Sequence, residues 1–141
     1  MYSYLQTQYG NLTEVSDNPL RRIFVLIHGI EVKGVEVDLL TRCHHYSNTK
    51  DVIAIKFYCC QTYYPCHSCH DTITDHSPML WPADKFDEKA ILCGVCGLEM
   101  SISDYMKSNF TCSNCKADFN PRCQNHYRLY FEVGSCLEVG L

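Results

Sequence analysis

Cys93-Gly94-Val95-Cys96, then 15 residues, then Cys112-Ser113-Asn114-Cys115 is the stretch whose reading decides how this chain folds. Two C-x-x-C pairs at that separation carry the ligand spacing of a four-cysteine zinc ribbon. Zinc takes four thiolate or imidazole donors in a tetrahedron, and each C-x-x-C closes a short chelate on one metal. Gly97 follows the first knuckle. A residue able to take positive φ there lets backbone N–H groups approach the thiolate sulfurs. Lys116 stands at the equivalent place in the second knuckle, so that knuckle lacks the residue best suited to the turn.

Outward from the ribbon the donors continue. The 141-residue chain holds 11 cysteines and 7 histidines, and cysteine near this level usually sets the architecture. Cys66 and Cys69 form a third C-x-x-C, Cys59 and Cys60 are adjacent, and Cys43 is followed by His44 and His45. A disulfide framework suits an exported chain with an even cysteine count. Here the count is odd, Met1 to Asn18 shows no basic stretch leading into an apolar one, and histidines fall among the cysteines. Zinc explains all three facts, and reduced thiols point to the cytoplasm.

Eight upstream candidates, Cys43, His45, Cys59, Cys60, Cys66, Cys69, His70 and His76, fill two tetrahedral sites. With Cys93, Cys96, Cys112 and Cys115 they make twelve donors for three zinc ions. The first pairing puts Cys43, His45, Cys66 and Cys69 on one metal and Cys59, Cys60, His70 and His76 on another. Two alternatives stay open. Adjacent residues on a strand face opposite ways, so Cys59 and Cys60 can serve different metals, and His44 can take the place of His45. Nine thiolates against three divalent ions move the formal charge from −4 to about −7. That acidic balance argues against general affinity for nucleic acid or anionic lipid. No apolar run approaches the roughly 20 residues of a membrane span.

The chain is long enough for one ordinary domain. Residues 1–22 are polar and without periodicity, and read as a loose tail, as do 136–141; the domain is expected over 23–135, with its donors in 43–115. Ile23 to Ile27 reads as a short strand or buried cover, Val32 to Leu39 as an edge strand or hairpin, and Val52 to Tyr58 as the best strand, with Ile53, Ile55 and Phe57 on one face. Cys66 to Thr72 fits a helical turn that puts Cys66, Cys69 and His70 on one side. Ser101 to Lys107 fits another, with Ser101 or Ser103 as N-cap and Asp104 in the first turn. Tyr127 to Val133 reads as a last strand. The expected fold is a small metal-bound α+β domain, short strands and turns around three zinc sites. Cys123 and His126 lack two further partners and read as a buried thiol and a hydrogen-bonded histidine, Cys136 as a free thiol, Trp81 with Phe86 as packing or a partner anchor, and His28 as structural.

The run from Cys43 to Glu132 resembles the CHY-type zinc finger family. The residues that carry the resemblance are Cys43-His44-His45-Tyr46, the stretch from Asp51 to Cys60, Tyr63-Tyr64-Pro65-Cys66-His67-Ser68-Cys69-His70-Asp71 and His76. They continue with Cys93-Gly94-Val95-Cys96-Gly97, Met100, Cys112 and Cys115, and with Phe119-Asn120-Pro121, Cys123, His126, Tyr127 and Leu129-Tyr130-Phe131. The resemblance implies that the twelve candidates are the zinc ligands and that three ions bind. It is to the small stand-alone kind of member. That kind includes bacterial proteins, whose wording HGIEVKG and WPADKFDEKA resembles, and a mitochondrial helper of small Tim protein assembly. No RING ligand series follows Cys115, so ubiquitin ligase activity is not expected.

Enzymatic readings find little support in the residues. Pro65-Cys66-x-x-Cys69 matches half of the zinc deaminase signature, but that chemistry needs an H-x-E, and the chain has none. Catalytic zinc keeps an open position, whereas twelve donors on three ions leave none. Redox C-x-x-C pairs sit in a βαβ setting that is not visible here. The reading is therefore a non-catalytic zinc module presenting loops to an unidentified protein partner. The competing class is an accessory of thiol and zinc homeostasis that exchanges metal at one site, with the Cys59-Cys60 pair the candidate for lability.

Overall fold

The computed structural model describes residues 24–132, apart from the side chains of 122–125. The expected tails at 1–22 and 136–141, and Cys136 itself, lie outside the described residues, as does the side chain of Cys123. The described strands form one six-stranded sheet in the order β1-β2-β4-β3-β5-β6. They are β1 Phe24–Ile27, β2 Ile30–Lys33, β3 Ile53–Phe57, β4 Thr62–Tyr64, β5 Lys89–Cys93 and β6 Glu99–Ser101. Two short helices, α1 His67–Ile73 and α2 Ile102–Met106, accompany two 3-10 segments at Ala83–Lys85 and Pro121–Leu129. This is the small α+β domain the sequence leads one to expect. No helix among the described residues is long and apolar enough to cross a membrane.

The first hairpin closes on two residues, His28 at φ 49 and Gly29 at φ 86. Two positive φ values are what a type I′ turn requires, and its twist matches that of the flanking strands. β3 lies at the centre of the sheet, antiparallel to both β4 and β5. Because Ile53 pairs with Cys93, the start of β3 adjoins the end of β5, and the other end of β3 leads to Cys59 and Cys60. The central strand pair thus sends thiols to opposite ends of the sheet.

Both sheet faces are covered. The larger cluster packs Ile53, Ile55, Phe57, Trp81, Ile91 and Phe131 together with the buried thiols of Cys43, Cys66, Cys69, Cys93 and Cys112. The smaller packs Val25, Ile27, Val32, Ala54, Tyr63 and Leu92 on the other side. Donor atoms are therefore part of the core rather than appended to it.

Three local readings change. The expected strand from Val32 ends at Lys33. Residues beyond Gly34 turn instead, because Asp38 Oδ1 accepts from the Leu40 and Arg42 N–H groups and pulls the chain into a loop. The expected last strand at Tyr127 is helical up to Leu129. Tyr127, Tyr130 and Phe131 are buried while Arg128 and Leu129 are exposed, the i, i+3, i+4 spacing of a helical face, and Pro121 is pre-set to begin such a turn. Only Phe131 makes a strand-like bridge, to Trp81. Finally, Cys59 and Cys60 do not alternate: β3 ends at Phe57 and the chain turns, with the Gln61 N–H donating to the Phe57 carbonyl at 2.7 Å.

Trp81 is 2% exposed, and its Nε1–H donates to the Lys56 carbonyl of β3 at 2.6 Å. Trp81→Phe keeps an aromatic ring but leaves that carbonyl unsatisfied. The expected loss is about 1–3 kcal/mol, read by denaturant unfolding, with bound zinc unchanged by mass spectrometry.

Candidate metal centres

Three groups of Cys and His donors form among the described residues, and within each the donor atoms lie within 4.8 Å of one another. Zinc–sulfur bonds of about 2.3 Å and zinc–nitrogen bonds of about 2.0–2.1 Å fix the edges of a tetrahedral site. They come to about 3.8 Å for S···S, about 3.6 Å for S···N and about 3.3 Å for N···N.

The first group joins Cys43 and His45 of the long loop to Cys66 and Cys69 around the start of α1. Cys43 Sγ is 3.6 Å from Cys66 Sγ, and His45 Nδ1 is 3.5 Å from both Cys66 Sγ and Cys69 Sγ. Cys66 is also the N-cap of α1, its sulfur accepting from the Cys69 N–H. The same cap that starts the helix therefore orients a donor. The Val35 N–H donates to Cys69 Sγ at 3.3 Å, so the loop that replaces the expected strand serves this group. His44 points elsewhere, exposed and 3.5 Å from Glu36.

The second group is Cys59, Cys60, His70 and His76. Its edges are 3.8 Å for Cys59 Sγ to Cys60 Sγ, 3.3 Å for Cys59 Sγ to His70 Nε2 and 3.2 Å for His70 Nε2 to His76 Nε2. The turn after Phe57 brings the adjacent cysteines to one group, against the strand alternative. Phe57 stacks on the His70 ring at 4.2 Å, and Thr74 Oγ1 lies 3.5 Å from its Nδ1, which leaves Nε2 free for a metal. Burial, then the neighbouring His76, lowers the pKa of His70; the ring is held neutral, as a ligand must be.

The third group is the ribbon. Cys93 Sγ is 3.8 Å from Cys115 Sγ and Cys96 Sγ is 3.7 Å from Cys112 Sγ. Its two knuckles repeat one another. Cys93 N–H donates to Leu98 O and Cys112 N–H to Ala117 O, while Gly97 N–H donates to Cys93 O and Lys116 N–H to Cys112 O. Gly97 has φ 84 and Lys116 has φ 68: the lysine takes the left-handed conformation despite its side chain. The hairpin tip completes the site, with His28 Nε2 3.0 Å from the Val95 carbonyl.

The thiols show why these groups call for a cation. Hydrogen bonds from the Cys66 and Cys69 thiols hold Cys43 down to about 2. With Cys43 ionised, hydrogen bonding to it raises Cys66 and pushes Cys69 up to about 12. In the ribbon, burial opposes ionisation of Cys96, but hydrogen bonds led by Asn114 and the Leu98 N–H bring it down to about 6, while burial raises Cys93. One thiolate forms readily in each of these two groups, whereas Cys66, Cys69 and Cys93 ionise only with positive charge nearby.

The CHY zinc finger family model matches residues 43–130. The chain belongs to the CHY zinc finger family. Helper of Tim protein 13 of Saccharomyces cerevisiae is 42% identical over 109 residues, covering 72% of this chain and 90% of that protein. Helper of Tim protein 13 of Kluyveromyces lactis is 40% identical over 101 residues, covering 72% and 88%. An uncharacterised Schizosaccharomyces pombe protein is 38% identical over 101 residues with the same coverage. Three Cys/His groups, each able to hold a zinc ion, are what this CHY zinc finger presents.

The surrounding contacts were not legible as motifs. Val35, Thr74, Asn114 and Phe57 support the donors through a backbone N–H, a hydroxyl, an amide and a stacked ring. None stands at a fixed offset that names its role. His126 joins no metal group among the described residues; its ring lies 6.2 Å from that of Tyr46.

The knuckle turns give a test. A Cβ on Gly97 falls 2.7 Å from His28 Cβ, in addition to the left-handed backbone. Gly97→Ala is expected to destabilise the zinc-loaded protein by at least about 1–2 kcal/mol, seen as a lower Tm. Lys116→Gly is expected to stay within about 1 kcal/mol of wild type, since relief of the backbone offsets glycine's entropy.

Proposed function

We propose that this chain is a non-catalytic module in which three zinc ions bind twelve side chains and hold loops in place for contact with a protein. The ligands are Cys43, His45, Cys66 and Cys69; Cys59, Cys60, His70 and His76; and Cys93, Cys96, Cys112 and Cys115. The observation that carries this reading is that each group gathers four donors within 4.8 Å of one another, with the separations described above close to tetrahedral edges. A metal already bound by four protein donors has no position for a reacting water. The domain is assigned to residues 23–135 with tails on either side. The compartment is a reducing one, the cytoplasm; the nine cysteines whose side chains are described are unpaired thiols gathered into metal groups. A Tim protein is the partner class that the name of the yeast relatives, Helper of Tim protein 13, suggests for this chain.

One feature favours a second reading, exchange of zinc with a partner or a thiol buffer. The second group is the most open: only His70 is buried, Cys59 and Cys60 are half-buried, and His76 is exposed. A thiolate that solvent or oxidant can reach is the one that loses metal first.

Native mass spectrometry of protein purified without added metal, with thiols counted after chelation, decides between outcomes. Three zinc ions and eleven free thiols are expected. Replacing Cys59 and Cys60 together by Ser is expected to leave about two zinc ions, and in the wild type limiting chelator should remove that one metal first. Disulfides in place of zinc overturn the structural module. Three ions lost together under chelator overturn the exchange reading alone. Titration with purified Tim proteins tests the partner.

A further inference from the structure

Beside the first metal group lies a cavity of about 270 Å³ that the zinc reading does not use. Its apolar walls combine the rings of Tyr46, Tyr105, Tyr127, Tyr130 and Phe131 with Ile53, Ile55 and Pro65, and the donor Cys66 borders it. Its polar lining is Thr41, Asn48, Asp51, Asn120 and His126. Among the described residues, no lysine or arginine lines it.

Two of these polar residues are unusual. Thr41 is 1% exposed and its hydroxyl has no hydrogen-bond partner among the described residues. It also sits at φ 67, a conformation that a β-branched side chain strongly disfavours. An unpaired buried hydroxyl and a left-handed β-branched backbone each lower stability. The fold nevertheless fixes the residue there: the Thr41 N–H donates to the Asp38 carbonyl, and a Cβ on Gly94 of the ribbon falls 2.9 Å from Thr41 Cγ2. Asp51 is 9% exposed. Its Oδ1 accepts from Asn120 Nδ2 at 2.8 Å and its Oδ2 from the Asn48 N–H at 2.9 Å. Each carboxylate oxygen has a second acceptor site, and both donors it has are neutral.

We propose that this cavity binds a small organic amine in its ammonium form. The carboxylate of Asp51 accepts hydrogen bonds from the ammonium, the hydroxyl of Thr41 supplies another acceptor, and the tyrosine faces enclose the cation and its apolar stem. Three features select a cation. The one acidic residue among the described lining residues, Asp51, is nearly buried and meets only neutral donors. Ring faces attract ammonium groups. The adjacent first group, with three thiolates around one divalent ion, adds negative charge.

The test uses benzylamine against benzyl alcohol, which has the same shape without the charge, titrated into the zinc-loaded full-length protein and followed by two-dimensional NMR. Benzylamine is expected to bind at least about tenfold more tightly than the alcohol, shifting the Thr41 and Asp51 backbone signals and the Asn120 side-chain amide. Asp51→Asn is expected to remove that preference. Thr41→Val keeps the branched shape and removes the unpaired hydroxyl, so it is expected to raise the Tm of the free protein while weakening benzylamine severalfold. Zinc content is measured on every sample, so loss of the metal sites is separated from loss of the amine site. Should Asp51→Asn shed zinc, Thr41→Val decides. Equal binding of the two probes, benzylamine binding untouched by both substitutions, or no shift at the cavity overturns the proposal.

Discussion

Thiolate sulfurs and imidazole nitrogens held 3.2 to 3.8 Å apart repel one another unless a divalent cation sits among them, and the rest of this structure is arranged around that constraint. The strands are three to five residues long and each helix is at most two turns. Such elements do not persist on hydrogen bonds and propensity alone. Buried among the apolar side chains of the main cluster are five of the donor cysteines. A structural zinc site contributes on the order of 10 kcal/mol of folding free energy at neutral pH, comparable to the whole stability of an ordinary domain. Metal and apolar burial therefore act on the same residues: displacing zinc leaves buried thiols whose charges have no partner.

The sheet explains how so small a body places three metals apart. β3 and β5 run antiparallel with Ile53 opposite Cys93, so one end of the pair feeds the ribbon and the other the Cys59-Cys60 turn. The third position arises off the sheet, where the loop before β3 meets the N-terminus of α1. Contacts also run between sites. His28 at the tip of the first hairpin touches the first ribbon knuckle, and Gly94 of that knuckle packs on Leu40 and Thr41, two residues ahead of Cys43. Backbone contacts thus join the ribbon to the loop that carries Cys43.

Much of this was legible in the sequence, and the exceptions share a cause. The ribbon, the β3 strand with its alternating Ile53, Ile55 and Phe57, and the Ser101 cap rest on fixed spacings, because chelation and capping demand them, whereas spacing alone leaves open how the eight upstream donors divide between two groups. The segment after Gly34 was misread because alternating Val35, Glu36 and Val37 resemble a strand. The competing demand was the side chain of Asp38, whose Oδ1 accepts two backbone N–H groups and turns the chain. Tyr127 to Phe131 was misread because a period of two and a face of i, i+3 and i+4 share the pair Tyr127 and Phe131; Tyr130, buried against Phe57 at 5.5 Å, settles it as helical. The cavity beside the first group had no signal at all. Thr41, Asp51 and Asn120 are far apart in the chain and meet only through tertiary packing.

Closed metal groups also constrain where function can lie. A zinc ion held by four protein donors keeps no open position; holding surfaces still and releasing a metal are the two roles the proposed reading gives such groups. The burial pattern separates these roles. The first group buries all three of its sulfurs and the ribbon two of its four, whereas the second buries one imidazole and leaves its two sulfurs half-buried and its second imidazole exposed. The second group also depends least on the surrounding fold, since His76 follows α1 on a loop and Cys59 and Cys60 share one turn. A protein that needed three equivalent rivets would bury them alike. The uneven burial sets the second group, the most open to solvent, apart from the other two.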